Sequence, residues 1–195
     1  MILMPSVIEE SGRGLKSFSL QDKLFDENII LLEHGIEDDL ATTIKAQLLY
    51  LDSKEDCKEI NMYISSGGGS IYAGNGIIDV MRHIKTPVNT ICTGIAMSMG
   101  NQILAAGTGT RKAMPNARIM IHSLSGGTQG KFQDMEIDYH ESKFLQEKLM
   151  RQMAEYTKGK TSYEKICELT DRDKFLSPEE ALEIGLIDAI IGSDW

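Results

Sequence analysis

Residues 60–93 have the sequence INMYISSGGGSIYAGNGIIDVMRHIKTPVNTICT, in which two short apolar runs flank a helical pattern. The runs at 60–64 and 88–93 have the length and composition of buried strands. Residues 71–84 carry apolar side chains at helical spacing, and the polar segment that ends at Pro87 closes the helix. Strand, helix and strand in this order predict a βαβ unit of a parallel sheet.

The same alternation continues on both sides of this unit. Towards the N-terminus the pattern predicts a strand at 28–32 and a helix at 38–51. Towards the C-terminus it predicts a helix at 95–106, a strand at 118–122 and a long helix at 133–156. At about 1.5 Å per residue the long helix would extend more than roughly 30 Å, which favours a projecting interface element, with packing on its own domain as the alternative. The sequence therefore predicts an α/β fold with short buried strands covered by helices.

Length and composition argue against several classes of protein. A chain of 195 residues fits one domain, which can bury roughly 70% of its unfolded surface without a metal or disulfide. A net charge of −9 with scattered basic residues argues against nucleic-acid binding. Three cysteines without a CxxC pair favour neither a disulfide framework nor a metal site. The N-terminal segment lacks the basic region of a signal peptide and no apolar run is long enough to span a bilayer, so we expect a cytoplasmic protein.

Ser98 is the first candidate catalytic residue. It lies in residues 94–100 (GIAMSMG), a degenerate form of the GxSxG nucleophile elbow with Ala96 in place of the first glycine. Amides at the start of the following helix can stabilise an oxyanion. The alternative is a serine that only caps the helix.

Three further segments are candidates for the same site. The glycines at 67–69 bring backbone amides close to a ligand, or they form a simple tight turn. His122 ends a predicted strand and is able to reach a serine on a neighbouring strand, or it is structural. Asp173 precedes a capped helix, and a solvated turn is the alternative. The other histidines, in a polar turn, at a helix end and within the long helix, are weaker candidates: His34, His83 and His140.

The combination resembles the proteolytic subunit of the Clp protease family (ClpP) along essentially the whole chain. The similarity is carried by ordered blocks at 5–9, 12–14, 63–66, 68–69, 73–74, 91–94, 96–100, 104–107, 115–116, 120–122, 126–127, 129–130, 170–173 and 175–177. The resemblance implies a serine endopeptidase with Ser98 as nucleophile, His122 as general base and Asp173 as the carboxylate that orients the histidine. It also implies an oxyanion hole formed by the amides of Gly69 and Met99.

The resemblance further implies a crotonase-like (ClpP-type) spiral of βαβ units. An N-terminal axial arm at 1–20 would precede one peptidase domain at 21–195, which includes a handle region at about 123–158. Within this domain Asp171 and Arg172 match a contact between two stacked heptameric rings. Residues 126–127, Gly126 and Gly127, match the strand on which a substrate peptide is laid.

The implied function is ATP-dependent hydrolysis of unfolded proteins inside a double-ring chamber. An AAA+ unfoldase would deliver the substrate and use the ATP, so we expect this chain itself to bind no cofactor and no metal. No nucleic-acid or membrane partner is expected.

The sequence departs from the family pattern in four places. Gly67 replaces a usual proline, Leu124 stands where proline is usual, and one residue is missing within 107–115. The fourth departure lies in the groove that receives the unfoldase. Tyr63 and Ile91 keep the apolar character of this groove, whereas four positions are polar: Asn61, His83, Thr93 and Lys112. Our hypothesis is that the chain docks an unfoldase poorly as a homomer and pairs with a second ClpP paralogue, because lost apolar anchors weaken docking.

Other functions are weaker alternatives. Residues 154–161 resemble a P-loop but lack its first glycine and follow a helix, and residues 74–79 lack the third glycine of a dinucleotide fingerprint. An acyl-CoA hydratase or isomerase shares the crotonase-like fold but does not need a Ser-His-Asp set. A structural ClpP-like subunit that builds rings without cutting is the non-enzymatic alternative.

Overall fold

The computed structural model describes residues 5–12 and 14–192 of the chain as nine strands and seven helices. In chain order they are β1 (Ser6–Ser11), β2 (Gly14–Ser19), α1 (Leu20–Asp26), β3 (Ile29–Glu33), α2 (Asp38–Asp52), β4 (Ile60–Ser66), α3 (Ile71–His83), β5 (Val88–Met97), α4 (Met99–Ala105), β6 (Arg111–Ala113), β7 (Arg118–Ile121), α5 (Phe132–Tyr156), α6 (Tyr163–Leu169), β8 (Lys174–Leu176), α7 (Pro178–Ile184) and β9 (Ala189–Ile190). The α/β class predicted from the sequence is confirmed.

A seven-stranded sheet organises the described residues after 28. Strands β3, β4, β5, β6 and β9 are neighbours in this order and run parallel. Strand β7 pairs parallel with the second half of β5, and β8 pairs antiparallel with β7. Strands joined through helices in this way are the expected product of consecutive βαβ units.

The core lies between the sheet and its helices. Helix α2 buries Ile44, Leu48 and Leu51, and helix α3 buries Ile77 and Met81, each at a spacing of three, four or seven residues. These faces pack with the alternately buried side chains of β4. The apolar periodicity that predicted both helices is therefore their packing surface.

The segment before Ser98 differs from the prediction. We expected a helix from residue 95, but β5 continues to Met97 and α4 begins at Met99. The register of β4 against β5 shifts between Ile64 and Ser66, so β5 contains an irregularity there and then pairs with β7. Pairing with a strand more than 20 residues away overrides the local pattern, and bulges of this kind are common beside active sites.

The predicted N-terminal arm and the predicted long helix both have regular secondary structure. The predicted arm at 1–20 is a β1–β2 hairpin in its described residues, and its Glu9 forms a 2.8 Å ion pair with Lys23. The boundary at residue 20 stays a prediction. Helix α5 begins one residue before its predicted start, and its early turns expose large apolar side chains whereas one face of its last turns is buried. Within the described part of the chain no helix is both long and apolar enough to cross a membrane.

Candidate active site

Three neighbouring strands bring the predicted catalytic side chains to one edge of the sheet. Ser98 directly follows β5, His122 directly follows β7, and Asp173 directly precedes β8. Parallel β5 and β7 place their carboxyl ends side by side. Because β7 and β8 are antiparallel, the residue after β7 lies opposite the residue before β8. The topology therefore gathers three side chains that are up to 75 positions apart in the sequence.

Ser98 has a backbone conformation that L-residues rarely adopt, with φ 53° and ψ −122°. Its N–H donates to the Met120 carbonyl at 3.0 Å, and its own carbonyl accepts from the Asn101 and Gln102 N–H groups of α4. Its hydroxyl does not cap the helix, so the capping alternative is wrong. Instead Oγ lies 2.8 Å from Nε2 of His122. A strained turn that exposes a serine to a histidine is typical of a nucleophile elbow.

His122 contacts the two other side chains unequally. Its Nδ1 lies 3.6 Å from Oδ1 of Asp173, beyond hydrogen-bond length. The histidine side chain is 15% exposed and the aspartate side chain 66%. Next to them, the Ser123 N–H donates to the Thr170 carbonyl at 2.8 Å and fixes the backbone that connects the two segments.

The glycine turn after β4 packs directly against Ser98. Gly68 has φ +98°, and a Cβ there would lie 2.7 Å from Ser98 Cβ. A Cβ on Gly69, which has φ +153°, would lie 2.3 Å from the Ile36 carbonyl oxygen. Both positions therefore require glycine, for conformation and for space. The sequence indicated the freedom of these glycines but not that Gly68 is the one in contact with the serine.

The amides of Gly69 and Met99 are free to bind an oxyanion. Ile36 pairs with the turn through Gly68 O and Ser70 N–H, so the Gly69 N–H points to the other side of the extended chain. Among the described residues it has no acceptor. Met99 is the first residue of α4, where helix amides have no intrahelical partner.

A cavity of about 300 Å³ lies beside Ser98. Helices contribute five of the apolar residues that line it: Ile71, Met99, Leu149, Met150 and Met153. Gln102 also lines it, 3% exposed, and donates through Nε2 to the Leu149 carbonyl at 3.3 Å. The sequence analysis did not identify this cavity, because its wall combines side chains from helices α3, α4 and α5.

The remaining predicted site residues lie outside the cavity. Asp171 and Arg172 are exposed neighbours, 81% and 95%, and their side chains are 3.9 Å apart. Gly126 and Gly127 are exposed and belong to no strand of the described chain. Within one chain these two residues pair with no other described segment, so their role in holding a substrate peptide stays a prediction.

Three of the residues predicted for the unfoldase groove lie in one row of the sheet, and their role in docking stays a prediction. Tyr63, Ile91 and Lys112 occupy one row across β4, β5 and β6. Asn61 lies two residues before Tyr63 on the same face, where its Oδ1 accepts from Asn89 Nδ2 at 3.1 Å. The two other polar positions lie apart from this row: Thr93 beyond the last paired residue before the irregularity of β5, and His83 at the end of α3.

No group of metal-binding side chains occurs within residues 5–12 and 14–192. The three cysteines are free, and burial raises the pKa of Cys92 to about 11. A thiol with this pKa is protonated at neutral pH and is a poor nucleophile.

A parallel α/β sheet with a serine–histidine pair at the carboxyl ends of two strands defines a protein of the serine hydrolase class. The chain belongs to the Clp protease family, whose model matches residues 12–194 and whose members are serine peptidases. It is similar to the ATP-dependent Clp protease proteolytic subunit 2 of Synechococcus sp. (strain CC9605), with 46% identity over 190 residues that cover 97% of this chain and 95% of the relative. The protein of the same name from Parasynechococcus marenigrum (strain WH8102) is 45% identical over the same shares.

Proposed function

We propose that the chain is a serine endopeptidase that cuts peptide bonds through an acyl-enzyme. The observation that carries the proposal is the 2.8 Å contact between Ser98 Oγ and His122 Nε2 at the mouth of an apolar cavity. Ser98 attacks the scissile carbonyl while His122 takes its proton, and the amides of Gly69 and Met99 receive the oxyanion. His122 then returns the proton to the leaving amine, and water releases the acyl group by the reverse sequence.

The carboxylate half of the triad is completed by assembly. Asp173 is 3.6 Å from His122 and largely exposed, and its neighbours Asp171 and Arg172 are exposed charges ready to meet another subunit. Under this proposal two heptameric rings stack through these two residues and through the exposed turns of α5. The contact between the rings draws Asp173 to hydrogen-bond distance from His122. Gly126 and Gly127 receive the substrate.

The chamber is fed by a partner ATPase. The chain carries no nucleotide motif, so ATP use and unfolding belong to an AAA+ unfoldase, and unfolded proteins in the cytoplasm are the substrates. Lys112 places a charge in the row of Tyr63 and Ile91, and Asn61 places an amide on the same face two residues before Tyr63, which weakens an apolar dock. We expect a second ClpP paralogue in the ring to supply the stronger dock. Retention of the unfoldase on this chain purified without any paralogue contradicts that part of the proposal.

Labelling with a fluorophosphonate tests the reaction class. An activated serine reacts, so we expect a single adduct on Ser98, whereas an acyl-CoA hydratase would give none. A fluorogenic peptide assay with and without a paralogue then separates a peptidase from a subunit that only builds rings. Absence of both the adduct and peptide cleavage in the assembled particle contradicts the proposed function.

A further inference from the structure

The hydroxyl of Ser66 joins two backbone segments beneath the glycine turn. It donates to the His34 carbonyl at 2.6 Å and accepts from the Gly68 N–H at 3.1 Å. The residue is 1% exposed. A serine hydroxyl has one proton to donate, so this contact uses that proton and one of the lone pairs.

Gly68 connects this hydroxyl to the nucleophile. Its backbone packs so closely on Ser98 that an added Cβ would lie 2.7 Å from Ser98 Cβ and 3.0 Å from the Met99 nitrogen. The next residue along the chain is Gly69, which lines the cavity beside Ser98 and whose N–H has no acceptor among the described residues. A displacement of Gly68 therefore moves one oxyanion donor relative to the other.

Apart from the Ser66 hydroxyl, little holds the start of the turn at Gly67. A Cβ on Gly67 would meet nothing within 4 Å, and glycine has more backbone freedom than any other residue. Ile36 holds the later part, because its N–H donates to Gly68 O and its carbonyl accepts from Ser70 N–H. Ser66 is thus the anchor on the side where the chain is least constrained.

We propose that Ser66 is a positioning residue of the oxyanion hole, whose hydroxyl fixes Gly68 so that the Gly69 amide lies where the oxyanion develops. The inference rests on the proposed function, since it assigns Ser66 to that reaction. Removing a hydrogen bond that aligns such a donor affects the transition state more than the bound substrate.

The test compares Ser66→Ala with Ser65→Ala in the assembled particle. Ser65 is the adjacent residue of β4, points to the opposite face, and makes no side-chain hydrogen bond among the described residues. For a fluorogenic peptide we expect Ser66→Ala to lower kcat roughly 10- to 100-fold with KM within about twofold, and Ser65→Ala to change neither by more than about twofold.

A second readout separates positioning from loss of structure. A peptide boronate forms a tetrahedral adduct with the serine, so its affinity should fall in parallel with kcat in Ser66→Ala, while the affinity of a product peptide stays within about twofold. Ser66→Thr keeps the hydroxyl and should retain kcat within about threefold. If Ser66→Ala does not fold, the same measurements are made on Ser66→Ala/Gly67→Pro, in which proline stiffens the turn.

The outcomes for Ser66 and for the proposed function are distinct. A wild-type particle that neither reacts with a fluorophosphonate nor cuts peptide overturns the proposed function and this inference with it. A reactive wild type whose kcat is unchanged in Ser66→Ala, or is lowered equally by Ser65→Ala, overturns the inference alone. An equal loss of boronate and product-peptide affinity also overturns it.

Discussion

Two aspartates each directly precede a strand of the sheet, but the contacts that hold their carboxylates differ strongly. Asp188 directly precedes β9 and lies beside Arg111 of β6, as Asp173 directly precedes β8 and lies opposite His122. Asp188 accepts three hydrogen bonds from Arg111, between 2.6 and 3.0 Å, and one from a lysine. Asp173 comes no closer than 3.6 Å to its histidine.

The difference follows from what each partner requires. Arg111 is 2% exposed, and a buried guanidinium without a carboxylate would be strongly destabilising, so the fold of one chain must fix Asp188. A histidine side chain, unlike an arginine, does not have to carry a charge, so its burial does not require a counterion. One chain therefore builds the Ser98–His122 half of the site by itself, and under the proposed function a partner subunit sets the carboxylate half.

The largest expected effect concerns the half that the chain builds alone. Ser98→Ala should lower kcat/KM for a fluorogenic peptide by on the order of 10⁴–10⁶, because the acyl-enzyme cannot form. The thermal midpoint should stay within a few degrees, since the hydroxyl is not used to cap α4. Activity equal to that of the wild type would exclude the proposed mechanism.

The second-largest expected effect concerns Asp173, and its size should depend on whether the subunits are assembled into the double ring. In the double ring, Asp173→Asn should lower the rate of fluorophosphonate labelling at Ser98 by roughly 10³–10⁴, the size of the loss when a triad carboxylate no longer orients its histidine. In isolated subunits, where the gap of 3.6 Å leaves no hydrogen bond to lose, we expect less than about tenfold.

Sedimentation at the labelling concentrations identifies the assembly state in that experiment. Equal losses in both states would mean that one chain already orients the histidine through Asp173. The looser contact of Asp173 in one chain would then not account for the reactivity of Ser98.

Removal of the Asp188 carboxylate should affect the stability of the fold and not the rate of the reaction. Asp188→Asn leaves Arg111 buried without its counterion, so the free energy of unfolding in urea should fall by about 3–5 kcal/mol. Asp56→Asn is the matched control, because its side chain is exposed and lies outside the proposed ring contact, and it should change the value by less than about 0.5 kcal/mol. A loss as small as that of the control would show that the Arg111 pair contributes little.

The sequence predicted most of the fold because its strands and helices carry strong local signals. The strand β4 and helix α3 lie within two residues of their predicted bounds, since apolar runs and helical spacing coincide there with the core. The start of α4 was wrong by four residues, because pairing of β5 with the distant β7 extends the strand to Met97. Tertiary pairing leaves no mark in a local pattern.

The candidate site was predictable by residue identity and not by geometry. The motif around Ser98 and the family resemblance indicated the serine and histidine. The unequal distances from His122 depend on the register of β7 against β8, two strands separated by more than 50 residues. Ser66 was not identified, because a serine in a polar run gives no sign that its hydroxyl joins two segments.

The smallest expected effect is the pH dependence of the Asp188 contribution. Hydrogen bonds from the Arg111 side chain hold the pKa of Asp188 well below its usual range. A carboxyl group whose pKa is lower in the folded than in the unfolded state stabilises fully above the unfolded value of about 4, and the contribution is lost as pH falls towards the folded pKa. The stability difference between wild type and Asp188→Asn should therefore narrow by about 1 kcal/mol between roughly pH 6 and 3. The same urea titrations check this, and a difference that stays constant over this range would mean that the folded chain binds a proton at Asp188 as readily as the unfolded chain does.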